Sequence, residues 1–590
     1  FNGDALKSVE LTKGGFPARY GGRLSSVIDM NMKEGNKEAW HGEGGIGLIS
    51  SRLTLEGPLK KDKSSILLSG RRTYVDFITR PITKSNSNGN FGYYFYDMNA
   101  KVNYDFGRKN KLYLSAYFGK DLCSIKSKDR EREEKAGFNW GNYTTTLRWN
   151  HLFHQKLFSN TSLIYSRYNF QINDRYKLLK ENESYYTEYN SGIEDYTFKY
   201  DLDFIPETKH WFKAGILATL HEFKPYAFAK KDEETSEKKS KRERYEGTEL
   251  GAYIEDTYQP IDILKINAGI RYSLFLTGQK LYSFIEPRIS VATRVADDVA
   301  IKASYANMNQ FIHLISYTGI SLPTDLWVPS SDKVHPQTSS QIALGIAKDF
   351  AHPLLTLSLE GYYKKMDHII GYKEGATYIE IGDANTASKA SWEKNITPGQ
   401  GWSYGVEFLI QKKTGRFNGW VGYTLSWTRF QFDSLNQGRK FYARYDRRHD
   451  VSVVGIYKLS ERISLSGTWV YGSGNAVTLP EYTYNSYSHV PLNYNSFFDE
   501  RGYKFFDQVE GMGTKNNYRM SAYHRFDFGI QFHKKKRWGE RVWEISVYNV
   551  YNRKNPFFYF IDEDYETKTK KMTQVSLFPV IPSITYSFKF

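Results

Sequence analysis

The residues able to do chemistry in this chain are arginines, loop aromatics and a glycine-rich run. Arg19 and Arg23 stand among glycines near the start, Arg71 and Arg72 close an alternating run, and Arg447 and Arg448 precede His449-Asp450. A guanidinium keeps its charge and offers five donors in a rigid fork, so such residues pair with carboxylates or hold an anionic ligand. Carboxylate pairing is the plainer expectation, and contact with an anionic substrate is the functional one. A second candidate is the stretch 473–519, where Tyr482, Tyr484, Tyr487, Tyr494, Phe497, Phe498 and Tyr503 lie among Asn and Gly. Flat aromatic faces and amides suit a sugar, a peptide or an aromatic chelate, and equally suit packing on other loops or on an external lipoprotein. Asp562-Glu563-Asp564 with Glu566 lacks the glycine and spaced oxygens of a calcium loop and reads as an exposed acidic segment. There is no Gly-x-Ser-x-Gly elbow, His-Glu-x-x-His pair or phosphate-binding loop, and the 13 histidines show no ligand spacing. Neither an enzyme nor a resident metal or cofactor is expected.

The elements that must position these residues are strands. From Trp40 onward the dominant period is two, in runs of about 9–15 residues, the length of a tilted membrane-crossing strand. In Leu355–Lys364 the apolar phase holds Leu355, Leu357, Leu359 and Tyr363, while Thr356, Ser358, Glu360 and Lys364 take the other. Arg525–Phe532 divides as sharply, with Phe526, Phe528, Ile530 and Phe532 on one face. No apolar run approaches the roughly 18 residues of a spanning helix. Aromatics reach 16%, with 47 Tyr and 38 Phe, more than a soluble core requires. The single cysteine, Cys123, excludes an intrachain disulfide. A net charge of +16 without any nucleic-acid motif argues for lipopolysaccharide phosphates or a polar lumen rather than DNA or RNA.

Connections alternate short and long. Short ones fall at 59–62, 107–110, 206–208, 296–298, 352–353, 413–415, 460–461 and 534–539. Long polar ones fall near 75–93, 122–136, 172–192, 224–244, 309–337, 368–400, 431–445, 473–519 and 553–576. Short turns on one side and long loops on the other are the pattern of an outer-membrane barrel. Splitting Trp40–Leu59 near Ile49-Ser50-Ser51 makes the first hairpin and brings the expected count to about 22 antiparallel strands.

The start of the chain reads Val9-Glu10-Leu11-Thr12-Lys13-Gly14-Gly15, then Ala18-Arg19-Tyr20-Gly21-Gly22-Arg23, then Ile28-Asp29-Met30. Glycine pairs between alternating runs suggest small strands with tight bends, backbone close to backbone. The whole phrase resembles the end of the plug domain of TonB-dependent outer-membrane receptors. Tyr445-Asp446-Arg447-Arg448-His449, the run Ser546–Lys554 and the terminal Ile584, Tyr586, Phe588, Phe590 alternation resemble later signatures of that family. The resemblance implies an all-β transmembrane barrel in the outer membrane of a Gram-negative bacterium, with residues 1–38 as the end of the plug and 39–590 as the barrel. It further implies import of a scarce ligand such as a siderophore, another chelate, a glycan or a peptide. Lys13, Gly14, Gly15, Arg19, Tyr20, Gly21 and Gly22 take structural roles, while Arg23, Arg71, Arg72, Arg447 and Arg448 are expected at lumen level. Phe1-Asn2-Gly3-Asp4 is neither an initiator nor a leader, so the TonB-binding segment is expected upstream. Besides TonB, the expected partners are the bilayer, lipopolysaccharide and an outer-membrane lipoprotein or other subunit. The alternative reading is a receptor-like barrel acting as a structural or assembly subunit.

Overall fold

The structure is a computed structural model describing residues 2–77, 89–128, 132–180, 183–224, 226–231, 244–315, 326–352, 354–374, 392–486, 507–563 and 570–590. Two short strands come first, β1 (Leu6–Thr12) and β2 (Val27–Met32), paired antiparallel with Val9 opposite Met30. Next come β3 (His41–Gly47), β4 (Ser50–Lys60), β5 (Ser64–Thr73), β6 (Gly89–Asp105), β7 (Asn110–Lys128), β8 (Arg132–His154), β9 (Leu157–Leu178) and β10 (Glu183–Glu207). They continue as β11 (His210–Phe223), β12 (Tyr245–Ile261), β13 (Leu264–Thr277), β14 (Lys280–Ala296), β15 (Val299–Gln310), β16 (Gln337–Phe350), β17 (Leu355–Tyr372) and β18 (Ile396–Lys412). The last six are β19 (Phe417–Phe432), β20 (His449–Ser460), β21 (Ile463–Gly472), β22 (Tyr523–Lys536), β23 (Gly539–Tyr548) and β24 (Ile581–Lys589). From β3 to β24 these 22 strands close into one antiparallel barrel, the expected number. Closure is made by β3 on β24, with Ile46 opposite Tyr586 and Glu43 opposite Lys589. The first hairpin turns between Gly47 and Ser50, at the expected split. Among the described residues no helix is long and apolar enough to cross a membrane.

Period two sorts the side chains. On β13, Arg271, Ser273 and Phe275 point inward and are buried, whereas Ile270, Tyr272 and Leu276 point outward and stay about half exposed. Ile254 on β12 and Ile285 on β14 continue that outer apolar band beside Ile270. Such a surface is stable against lipid, not water. At one end the turns are two or three residues long, as at 61–63, 297–298, 461–462 and 537–538. At the other lie 74–88, 311–336, 373–395, 433–448 and 473–522.

The structure differs from the loop expectation over the described residues 122–128, 132–136, 172–178 and 183–192, which are strand. Strands β7 to β10 run on through them, with Lys126 opposite Lys135 and Tyr185 opposite Tyr176. β9 has 22 residues, about twice what a tilted strand needs to cross. Beyond the lipid both faces meet water or other loops, so the hydrophobic alternation disappears while the backbone ladder continues. Sequence periodicity reports burial, not hydrogen bonding, and it lost these extensions for that reason.

Ile270→Arg places a charge on the lipid face near the middle of its strand and is expected to cost about 2–4 kcal/mol. Gln531→Arg lies on the inner face, where Gln531 donates to Glu544 at 2.7 Å, and is expected to change stability by less than about 1 kcal/mol. Denaturant midpoints of the chain folded into lipid vesicles check both.

Candidate functional site

Residues 2–38 lie inside the barrel and are bonded to its inner wall by polar groups at several heights. Along β4 and β5, the Asn2 amide donates to Ser69 Oγ at 2.7 Å and Asp4 pairs with Arg52 at 3.0 Å. Lys33 pairs with Glu43 at 2.9 Å and Lys37 with Asp105 at 2.6 Å. The Glu34 carbonyl accepts from Ser65 Oγ at 2.8 Å and from Asn103 Nδ2 at 2.6 Å.

Higher up, the glycine pairs meet a buried ionic wall. Arg271 and Arg288 are 2% and 4% exposed and Glu286 is wholly buried, so each charge needs a close partner. Arg288 Nη2 lies 2.6 Å from Glu286 Oε2. Arg271 Nε donates to Ser273 Oγ at 3.1 Å, and that hydroxyl donates to Glu286 Oε1 at 2.6 Å. Arg271 also stands 3.7 Å from Glu249, whose other oxygen lies 3.6 Å from His221 Nε2. His221 Nδ1 completes the row at 2.7 Å from Asp195.

The inner segment completes this wall. Among the described residues Glu255 has no wall cation within ion-pair distance, and Arg19 provides one, 2.5 Å from Glu255 Oε1. The Arg19 backbone N–H donates to Glu255 Oε2 at 3.1 Å. Burial works against the Arg19 charge, the Glu255 carboxylate more than restores it, and its pKa ends above the ordinary value. Arg288 reciprocates by donating to the Pro17 carbonyl at 2.9 Å and to the Tyr20 carbonyl. Tyr20 OH donates to Asp29 at 3.0 Å, and burial pushes that phenol up. Lys13 pairs with Glu407, Lys364 donates to the Leu24 carbonyl at 2.6 Å, and Phe16 packs with Leu24, Ala306 and Met308.

The glycines permit close approach, to wall side chains rather than to backbone as the sequence suggested. A Cβ on Gly21 would overlap the Arg271 guanidinium. One on Gly15, whose φ is +61°, would lie 2.6 Å from Ser304 Cβ. Gly14 and Gly22 face Ala343 and Glu249 at 3.1 and 3.2 Å by the same measure.

The remaining candidates scatter. Arg23 is exposed, donates to the Gly22 carbonyl at 2.7 Å, and has no carboxylate within ion-pair distance among the described residues. Arg71 faces inward and pairs with Asp97 at 2.6 Å. Arg72, one residue on, points to the outer face over the Tyr94 ring at 5.0 Å. The lumen expectation for Arg72 is therefore corrected by strand phase. Arg447 reaches Asp450 at 3.6 Å and Asn475 at 3.3 Å. Arg448 lies outside the barrel, 4.7 Å from the Trp427 ring, a second correction to the lumen expectation. Tyr482 and Tyr484 are exposed on a two-stranded hairpin, ring centroids 6.3 Å apart. Tyr487, Tyr494, Phe497, Phe498 and Tyr503 lie outside the described residues, as do Asp564 and Glu566.

Sequence reasoning missed Glu249, Glu255, Arg271, Glu286 and Arg288. Their signal was available: each occupies the phase opposite Leu250, Ile254, Ile270, Ile285 or Ile289, so it had to face the lumen. It also missed the mouth. There a short hairpin, Ile312–Ile315 with Leu326–Pro329, folds inward and packs Ile315, Leu326 and Val328 against Phe170, Tyr372 and Trp392. Phe311 stacks on Phe275, centroids 4.8 Å apart at 3°, with Tyr282 and Phe284 beside them. His313 is fully buried, 2.9 Å from both Ser330 Oγ and Gln337 Nε2, and burial pushes its pKa down to about 3.

The TonB dependent receptor-like, beta-barrel family matches residues 73–552. The ferripyoverdine receptor of the outer membrane of Pseudomonas aeruginosa, bound to ferripyoverdine, is similar at 12% identity and TM-score 0.65, covering 99% of this chain and 76% of that one. A siderophore receptor from Acinetobacter baumannii is similar at 14% identity and TM-score 0.63, covering 100% and 85%. A copper transporter, OprC, is similar at 10% identity and TM-score 0.66, covering 100% and 86%. No curated protein sequence matches the chain.

Arg288→Met leaves Glu286 buried without its closest cation and is expected to cost about 3–5 kcal/mol, most of it recovered in Arg288→Met/Glu286→Leu. Limited proteolysis of residues 2–38 and the denaturation midpoint check this. The mouth hairpin should weaken in acid: with His313 neutral when folded and its unfolded pKa near 6.5, stability present above that pH is lost as pH falls towards 3. The loss amounts to about 2 kcal/mol at pH 5. Trp327 fluorescence between pH 7 and 5 reports it, and His313→Gln should flatten the response.

Proposed function

The chain belongs to the TonB-dependent receptor family, and from that premise we propose that it imports a metal chelate across the outer membrane of a Gram-negative bacterium. In this reading residues 1–38 are the last part of the plug, 39–590 form the barrel, and TonB supplies the energy. The carrying observation is the chemistry of the inner segment's hold on the wall. It is made of ion pairs and carbonyl hydrogen bonds, with Phe16 and Leu24 as the apolar minority. Polar contacts exchange with water once wetted, so an element held this way can be displaced and reseated without exposing a large apolar core.

The ligand class rests on Arg23 and on the relatives. Arg23 projects, exposed and without a carboxylate partner among the described residues, while Phe275 and Phe311 stack on each other and are buried, with Phe284 beside them. An exposed guanidinium suits an anionic chelate. The receptors of ferripyoverdine and of siderophores, and the copper transporter, point to the same class.

Deleting the protein should slow growth under iron depletion and lower uptake of radioiron supplied with catecholate, hydroxamate or mixed siderophores. Arg23→Gln should lower whole-cell affinity for an anionic chelate by up to about tenfold, with barrel abundance unchanged. Unaltered growth and unaltered uptake of both iron and copper in the deletion strain overturn the reading.

A further inference from the structure

We propose that the outer face of β18 and β19, with the chain from Lys440 to Arg448, binds the phosphates of a bis-phosphorylated glycolipid in the outer leaflet. The strand phase sets the stage. Tyr363, Tyr404 and Trp427 point to lipid and stack in sequence, centroids 6.4 and 5.3 Å apart. Toward the long-loop end, Arg429 stands opposite Trp402 on the same outward phase. Its Nη2 donates to Tyr442 OH at 3.1 Å. The guanidinium carbons of Arg429, Arg519 and Arg448 lie 5.0, 5.1 and 5.3 Å from the Tyr442 ring centroid. Lys440 Nζ lies 3.8 Å over Trp402.

Four cations thus gather in one place. Among the described residues, the carboxylate within ion-pair distance of any of them is Asp446 alone. Asp446 is buried and already engaged: it contacts Arg519, accepts the Thr428 backbone N–H, and stands 3.8 Å from Arg448. Among the described residues, the partners of Arg429 and Lys440 are aromatic rings and a phenol. Like charges are not held together by ring faces alone, so the cluster calls for an anion.

A second, separate feature points to an amphiphile. Around the same rim, Trp469 and Tyr471 on β21, His524 on β22 and Tyr551 line an open aromatic notch of about 480 Å³ facing the lipid side. His524 Nδ1 and Tyr551 OH are 2.8 Å apart, which fixes the notch wall. Aromatic rings and basic side chains at the boundary between hydrocarbon and headgroups are where lipid phosphates and acyl chains meet protein. The long-loop end faces the outer leaflet, so the phosphate donor there is the phosphorylated glycolipid. This placement rests on the membrane reading above.

The test uses the full chain in detergent, with bis-phosphorylated lipid A as probe and native mass spectrometry as readout. Arg429→Gln/Lys440→Gln/Arg448→Gln is expected to weaken lipid A binding about tenfold or more, since each cation removed deprives the phosphates of one positive partner. Trp469→Ala should weaken it several-fold and leave its salt dependence unchanged. Lys348→Gln, which breaks the Lys348–Asp298 pair at the short-turn end, should change nothing. Heat-dependent gel mobility confirms that each variant is folded, and cell fractionation tests membrane location independently. Equal lipid A binding by wild type and the triple variant overturns the proposal. So does an equal loss with phosphatidylglycerol, competition by millimolar inorganic phosphate, or loss of a bound lipoprotein with lipid A retained.

Discussion

A backbone in hydrocarbon has no water to bond with, so every N–H and C=O must find a partner within the protein. For strands this leaves one solution, a sheet without edges, and the pairing of β3 with β24 is where the chain meets it. The last residue takes part: Phe590 N–H donates to the Gly42 carbonyl at 2.9 Å, and Gly42 N–H returns the bond to Phe590 at 3.1 Å. Once the ring is closed, each strand has two unlike surroundings and period two becomes compulsory. Ile270 beside Arg271 is that compulsion in two adjacent residues.

Closure also creates the polar interior on which the rest depends. Inward positions of a wide barrel can face water or another polar surface, so charge is tolerated there at a density that lipid forbids. The wall from Asp195 through His221, Glu249, Arg271 and Glu286 to Arg288 uses five neighbouring strands. Glu255, on the same wall, has no wall cation within ion-pair distance among the described residues. That deficit makes a docking code: a segment with an arginine at the right height, flanked by glycines thin enough to lie on a guanidinium, is held, and another is not. Arg19, Gly21 and Gly22 satisfy both conditions.

Much of this was readable from residues, and the boundary of legibility has a physical cause. Alternation and turn asymmetry yield the strand number because lipid burial imprints period two on the chain. The extensions of β7 to β10 carry no imprint, since both of their faces leave the lipid. Arg72 and Arg448 were misplaced because an arginine within reach of a headgroup is compatible with the outer phase near a rim, which charge alone does not disclose. The pairing of Arg19 with Glu255 was out of reach, because its partners stand 236 positions apart and only closure brings them together. Phe311 and Phe275 meet for the same reason, through a loop that folds inward without any periodic signal.

The two contacts inside the barrel differ in kind, and that difference orders what moves. The mouth hairpin buries Ile315, Leu326 and Val328 against Phe170 and Trp392 and accepts a neutral His313, so its hold grows with apolar area and yields gradually. The inner segment is held by charges whose attraction is strong only while water is absent. Separating Arg19 from Glu255 by a few ångströms admits water between them and removes most of that attraction at once. The same admission rehydrates Glu255 and Arg288, offsetting the cost of parting. The hold on the segment is therefore short-ranged, whereas that on the mouth hairpin follows its apolar contact area. The fold thus holds its inner segment by short-range charge and its mouth hairpin by apolar area.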